Sequence, residues 1–298
     1  MASPHTHNIK SIMKDIIVSD ITYTVKGKTI LSNVSLSVDT QDSFALLGEN
    51  GSGKSTLIDI ILNDIKPDKG HVRFFENTKS NFDKTGVLYD HSPLFPMLKV
   101  EESIRYFTSI YGLKYQDIEK QYFELFEIQK IQKTLTRELS QGEKKRVGIL
   151  LSIIHNPDLL VLDEPFANLD PTITGRIWNT LKNKNRTIFF TTHDWKKAEK
   201  QATKIGFIYG GKIIHQPKSP KQILETLPAL KKITISNTDD FAKNLTNWQY
   251  YIYDESIHIF FDEKSDLLKT INTLTSNFSI QEVDLKDAYL FHVHNMAT

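Results

Sequence analysis

Nine consecutive residues, Gly48-Glu49-Asn50-Gly51-Ser52-Gly53-Lys54-Ser55-Thr56, are of the types that hold a phosphate. The glycines let main-chain N–H groups curl around an anion, Lys54 offers a cation to terminal phosphates, and the Ser55 hydroxyl is a ligand for Mg²⁺. Further along, Leu159-Leu160-Val161-Leu162 carries two adjacent carboxylates, Asp163 and Glu164, to the end of an apolar run. Two such acids have separate chemistry: Asp163 holds the metal ion directly or through water, and Glu164 polarises an attacking water as general base.

These residues need particular elements to hold them. The run 43–47 (SFALL) reads as a short buried strand leading into Gly48, and KSTLIDIIL reads as a helix beginning near Lys54. Strand, glycine-rich loop and helix in series is the context a phosphate loop requires. Residues 16–25 and 30–38 alternate apolar and polar with many β-branched side chains, which predicts an antiparallel hairpin turning at Lys26-Gly27-Lys28. HVRFF at 71–75, the apolar runs 159–162 and 187–191, and a hairpin over 204–209 and 212–215 complete the strands of this part. Between about 100 and 155 the pattern is mainly helical, with Ile104, Phe107, Ile110, Tyr111, Phe123, Phe126 and Ile128 at helical spacing as a candidate core. Strands separated by helices predict a parallel sheet with an antiparallel flank.

Composition narrows the function. The 298 residues carry 37 Lys and Arg against 36 Asp and Glu, a formal charge of +1, so no global field draws nucleic acid or anionic lipid. Cysteine is absent, which excludes disulfides, thiol nucleophiles and thiolate metal sites and agrees with a reducing cytosol. No apolar run approaches the roughly 20 residues of a spanning helix. Residues 1–13 read as a flexible arm without the apolar centre of a signal peptide, its His5 and His7 solvent-exposed. Pro217, Pro220 and Pro228 punctuate the chain near residue 225. Beyond it KKITIS, DDFAKNLTNW, YYIYDESIHIFF, KSDLLKTINTL and FSIQEVDL read as strand, helix, strand, helix, strand, a small α+β domain of ferredoxin-like kind.

One more segment gives the series a family likeness. Leu139-Ser140-Gln141-Gly142-Glu143, followed by Lys144-Lys145-Arg146, lies between the phosphate loop and Asp163; Asn168-Leu169-Asp170 and Thr192-His193-Asp194 follow. In this order the motifs resemble the nucleotide-binding subunit of an ABC transporter, over roughly residues 14–222. The resemblance implies a P-loop NTPase core over 14–225, with a helical subdomain at about 91–155 and an accessory domain at 226–298. It implies ATP with Mg²⁺ as the ligands, and a second ATPase subunit, the same chain or a paralogue. Ser140 and Gly142 would then reach the γ-phosphate held by the facing subunit. Gly142 permits that close approach, the following helix N-terminus favours an anion, and Ser140 is also suited to cap that helix. Leu169 and Asp170 resemble the loop joining the two sites, and His193 resembles the switch residue that contacts the γ-phosphate and keeps Glu164 and water in place.

Two positions depart from the family pattern. Aligned through GVLYDHSPLF, the usual Mg²⁺-binding glutamine is Asp90, which can ligate the ion with a full charge; an ordinary turn aspartate is the alternative. Val25 stands where an aromatic residue usually stacks on adenine, with Tyr23 two residues earlier on the same strand face as its substitute. Leu285-Lys286-Asp287-Ala288-Tyr289-Leu290 resembles the ending of ATPase subunits in exporters with separately encoded permeases. The resemblance therefore implies a cytoplasmic ATPase, peripheral on the inner face of the membrane, driving an integral-membrane permease. That permease would sit in a cleft bordered by His91 to Phe95 and the helix containing Tyr106. A translation or DNA-repair ATPase of the same family is the alternative. Neutral charge and a single cassette without inserted coiled coils speak against it, and a small-molecule kinase leaves LSQGE unexplained.

Overall fold

The computed structural model describes residues 13–74, 82–90, 94–182, 185–236, 245, 248–262, 267–268, 271 and 277–297. The predicted arm, apart from Met13, lies outside the described residues, as do His91 to Pro93 and most of the two helices predicted at 239–248 and 264–274.

The opening hairpin is longer than predicted: β1 (Lys14–Val25) pairs antiparallel with β2 (Lys28–Asp39). Lys26 and Gly27 turn it with φ of 48° and 81°, the positive values a tight hairpin turn needs. β3 (Ser43–Leu47) is wholly buried and leads to α1 (Lys54–Ile61); β4 (Lys69–Phe74) then returns to pair with β1, giving a flank of order β2-β1-β4.

β3 is the middle of a six-stranded sheet of order β5-β6-β7-β3-β8-β9. Its members β5 (Thr85–Leu88), β6 (Leu159–Leu162), β7 (Thr187–Thr192) and β8 (Lys204–Tyr209) are parallel, and β9 (Lys212–Ile213) is antiparallel to β8. Side chains alternate between its faces. Phe44, Leu46, Leu159, Val161 and Phe189 pack with α1 and the flank, whereas Ala45, Leu47, Leu160, Leu162 and Phe190 pack with the helices opposite. Burial on both faces explains why these strands read as unbroken apolar runs. β5 escaped the sequence reading because its residues, TGVL, include a threonine and a glycine and make no unbroken apolar run such as that of β6.

The helical region holds α2 (Val100–Ile110), α3 (Tyr115–Tyr122) and α4 (Gln141–Ile153). Ile104, Phe123, Phe126 and Ile128 are in the core as predicted. Ile110 is not: it is 58% exposed, and Tyr111 instead stacks on His155 with ring centroids 4.3 Å apart. Then α5 (Pro171–Lys182), α6 (Trp195–Gln201) and α7 (Pro220–Leu224) follow in order.

β10 (Lys231–Ser236), β11 (Tyr250–Tyr253), β12 (Ser256–Phe261) and β13 (Phe278–Glu282) form an antiparallel sheet of order β11-β12-β10-β13, the strand order of a ferredoxin-like unit. The single strand predicted over 250–261 is a hairpin, because Asp254 and Glu255 take φ of 49° and 57° and reverse the chain. The last strand predicted, 278–285, ends at Glu282, and Leu285–Ala297 is a helix, α8. One face of this sheet has its own core of Ile233, Ile235, Ile257, Ile259 and Phe261. Tyr251, Phe260, Leu285 and Tyr289 belong instead to the large core that includes Phe207 of β8. Among the described residues no helix is long and apolar enough to cross a membrane.

Candidate functional site

The phosphate loop leaves β3 at Gly48 and enters α1 at Lys54, so its amides gather at a helix N-terminus. Gly53, with φ of 107°, is the residue before that helix, and a Cβ there would lie 2.7 Å from Leu31 Cδ2. Only glycine fits both conditions. Lys54 is buried, and its Nζ donates to the carbonyl oxygens of Gly48 at 2.9 Å and Glu49 at 3.0 Å. Burial pushes its pKa below the ordinary lysine range, against the opposing pull of Glu164, Asp163 and Glu49.

The two acids are placed by the pairing of β6 with β7, which sets Leu162 beside Phe190 and brings the ends of both strands together. The Thr191 hydroxyl donates to Asp163 Oδ1 and accepts from the Glu164 N–H at 3.0 Å. One side chain thus fixes both acids. Glu164 has φ of 45°, an unusual conformation for a residue with a side chain, held by this bond. Its Oε1 lies 3.0 Å from His193 Nδ1, with the Glu164 side chain 15% exposed and that of His193 61% exposed.

A cleft of about 410 Å³ brings Asn50, Gly51, Gly53, Lys54, Ser55 and Thr56 together with Asp90, Asp163 and Glu164. Lys28 and Ile30 of β2 close it, in place of Tyr23 and Val25. Tyr23 packs instead into the core under the flank, and Val25 stands 40% exposed beside the turn. Gly48, Glu49 and Ser52 form the back of the loop and do not line the cleft; Ser52 Oγ is buried without a hydrogen-bond partner. Asp90 lines the cleft as predicted, but its Oδ1 accepts from Lys145 Nζ at 3.1 Å, and the same ammonium donates to the Asp163 carbonyl at 3.0 Å.

Ser140, Gly142 and Asp170 do not line this cleft. Ser140 caps α4 in a reciprocal pair with Glu143: the Glu143 N–H donates to Ser140 Oγ at 3.3 Å and the Ser140 N–H to Glu143 Oε2 at 2.8 Å. A Cβ on Gly142 would lie 2.6 Å from the Asn168 carbonyl oxygen, so the LSQGE turn rests directly on the loop at Asn168-Leu169-Asp170. Asp170 caps α5, accepting from the Thr172 N–H at 2.8 Å, and that bond first among several contacts holds its carboxyl below the usual range. The sequence reading missed Lys28, Ile30, Lys145 and Thr191. Thr191, at the end of a strand next to that of Asp163, carried a usable signal; Lys145 did not.

A family model described as ABC transporter matches residues 31–167. The ergothioneine transport ATP-binding protein of Helicobacter pylori (strain G27) is 33% identical over 205 residues, covering 64% of this chain and 96% of that protein. The chain belongs to the ABC transporter ATP-binding family. The lantibiotic transport ATP-binding protein SrtF of Streptococcus pyogenes is a further relative, 32% identical over 63% of this chain and 83% of its own length. The linearmycin resistance ATP-binding protein of Bacillus subtilis (strain 168) is 31% identical over 63% of this chain and 64% of its length. Solved structures agree on the fold. An ATP-binding subunit of an ABC transporter superposes with a TM-score of 0.64 at 22% identity, over 71% of this chain and 92% of the other. A dimeric bacterial ABC transporter cassette gives 0.61 at 24% identity, over 68% and 98%. As an ABC ATP-binding subunit the chain binds ATP, and its enzymatic activity is the ATP hydrolysis that powers transport.

Proposed function

We propose that this chain is the ATPase of an exporter, driving a separately encoded integral-membrane permease from the cytoplasmic face. The observation that carries the reading is the cleft in which the phosphate loop, Asp163 and Glu164 meet while Ser140 and Gly142 stay outside it. A site lacking its signature residues is half a site, and a second ATPase subunit would supply the other half head to tail. The relatives named for lantibiotic transport and linearmycin resistance support export. Residues 14–225 are proposed as the ATPase domain and 226–298 as its accessory domain.

Each group then has a task. The main-chain amides of the loop and Lys54 cradle the ATP phosphates, with Lys54 leaving the carbonyls of Gly48 and Glu49 to do so. Glu164 takes a proton from the attacking water, and His193, 3.0 Å from it, keeps its carboxylate aimed. Mg²⁺ suits the donor set: Ser55, Asp163 and Asp90 line the same cleft and offer oxygen only. Ser55, Asp163 and Asp90 are the residues that would hold the ion. When bound, the ion would supply neutralisation of phosphate charge. Lys28 and Ile30, which line the cleft where Tyr23 and Val25 do not, are proposed as the neighbours of the adenine.

The permease contact is proposed beside a second cavity of about 210 Å³, lined by Leu94, Phe107 and Tyr111 among others. Phe95, Met97 and Tyr106 next to it are 44%, 68% and 48% exposed, a large apolar area for a surface without a partner. The test is recovery of Glu164→Gln from native membranes with Mg²⁺ and ATP, followed by mass spectrometry of every retained chain. A multi-span membrane protein is the expected companion. Ribosomal or DNA-bound partners without a membrane protein would reverse the reading.

A further inference from the structure

Arg146, which closes the run Lys144-Lys145-Arg146 after the LSQGE turn, has no part in the cleft described above. It is 8% exposed, and its guanidinium is turned toward the segment that follows α3. Nη1 donates to the Phe126 carbonyl at 3.0 Å and to Glu127 Oε2 at 3.2 Å, while Nη2 lies 3.9 Å from Glu143 Oε1. Glu143 is the residue whose other oxygen, Oε2, accepts from the Ser140 N–H and from the Ser140 hydroxyl, both at 2.8 Å. A chain of charged contacts thus runs from Glu127 to Ser140.

Glu127 also reaches a second helix. Its Oε1 accepts from Arg176 Nη2 of α5 at 3.3 Å, so one oxygen serves α4 and the other serves α5. Lys130 Nζ adds a contact to Oε2 at 3.3 Å. Lys130 first, then Arg176 and Arg146, hold the carboxyl below the usual glutamate range, which keeps it anionic at neutral pH. The main chain of Glu127 has φ of 51°, the left-handed region where glycine is the least costly residue. A long acidic side chain at such a position is explained by what its two oxygens hold.

The helices joined in this way are the two that carry the groups left outside the cleft. α4 starts at the Ser140 cap, and α5 starts at the Asp170 cap. Their leading ends already touch, with Gly142 against the Asn168 carbonyl. Glu127 supplies a second point of attachment further along both helices, and two points fix a relative orientation where one leaves a pivot.

We propose that Glu127 is a positioning residue for the nucleotide site of the facing subunit: it holds α4 and α5 in one register, so that Ser140, Gly142 and Asp170 are presented to the partner as a single rigid edge. The inference rests on the reading, proposed above, that these residues complete a second subunit's site. It concerns how the two subunits close on ATP, and leaves the binding of ATP within one chain untouched.

The experiment uses purified full chains that all carry Glu164→Gln, with Mg²⁺ and ATP, and compares this parent with added Glu127→Gln or Arg176→Gln. Glutamine keeps the size of Glu127 but offers one acceptor to two arginines. Arg176→Gln cuts only the tie to α5, and with that side chain 42% exposed it does not endanger the fold. Light scattering measures the protein concentration at half-dimer under saturating ATP, and a titration at protein concentrations too low for dimers measures the Kd for ATP. Glu127→Gln should raise the half-dimer concentration by about 2- to 10-fold, the range for partly exposed charge-assisted bonds, and Arg176→Gln should raise it by less. The Kd for ATP should equal that of the parent in both. A half-dimer concentration that stays at the parent value in either variant overturns the proposal. So does a weakened dimer accompanied by an equal loss of ATP affinity, the pattern of a general packing role. A parent that forms no dimer with ATP overturns the two-subunit reading, and the proposal with it.

Discussion

Lys145 Nζ lies 3.1 Å from Asp90 Oδ1, an ion pair that ties Asp90, a residue lining the cleft just after β5, to helix α4. Lys145 is 6% exposed, and its ammonium also holds the Asp163 carbonyl at 3.0 Å. One fixed cation therefore engages the Asp90 carboxylate and the main chain of Asp163, the two residues whose carboxylates are proposed for Mg²⁺. Each carboxylate keeps its second oxygen for the ion, since Lys145 holds Asp90 Oδ1 and Thr191 holds Asp163 Oδ1.

This pair predicts a coupling. With half of the Asp90 side chain in water, a double-mutant cycle on Asp90→Asn and Lys145→Gln should give about 0.5 to 1 kcal/mol of interaction in chemical denaturation. Lys145→Gln alone should lower the Mg²⁺ concentration needed for half-maximal ATP binding, because Asp90 is freed for the ion. Additive stabilities together with unchanged Mg²⁺ dependence would show that the pair does neither job.

The LSQGE turn makes a steric prediction. A Cβ at Gly142 meets the Asn168 carbonyl at 2.6 Å, and main chain cannot step aside as a long side chain can. Gly142→Ala should lose about 1 to 3 kcal/mol of stability and most ATP turnover. Gly175→Ala is the control, since a Cβ there meets nothing within 4 Å in α5. It should stabilise by about 0.5 to 1 kcal/mol, the helix preference of alanine over glycine. Equal behaviour of the two variants would rule out the close contact as the cause.

Much of the site was legible because its motifs are local: the loop at Gly48 to Thr56 and the pair Asp163-Glu164 each sit at a strand end that the sequence announces. Lys145 and Asp90 were not legible as partners. They are 55 positions apart, and only the packing of α4 beside β5 joins them. Helix α8 was missed for a different reason. LFHVHNMA has no single apolar stripe: Phe291 packs on Phe260, while the next residue, His292, is also packed inward, against His215 and Thr226. The hairpin at Asp254-Glu255 was read as one strand because its turn contains neither glycine nor asparagine.

Acid should loosen the contact between α8 and the rest. His215 and His292 have ring centroids 5.6 Å apart, with Lys218 nearby and Thr226 Oγ1 2.9 Å from His292 Nε2. Burial first holds both pKa values below the histidine norm of about 6.5, and for His292 the charge of His215 adds to it. The folded state thus binds fewer protons than the unfolded chain. Its stability is complete above pH of about 6.5 and declines as pH falls below that value toward the depressed folded values. Melting curves from pH 8 to pH 5 should show this loss, reduced in His292→Gln; an identical profile in that variant would place the sensitivity elsewhere.

The central claim is that Glu164 and the phosphate loop form one hydrolytic site, and the most direct measurement compares equilibrium ATP binding with steady-state ATP turnover in Glu164→Gln. Binding should match that of wild type, and turnover should fall by about 100- to 10,000-fold, the contribution of a positioned base. Near-normal turnover in Glu164→Gln would contradict the claim.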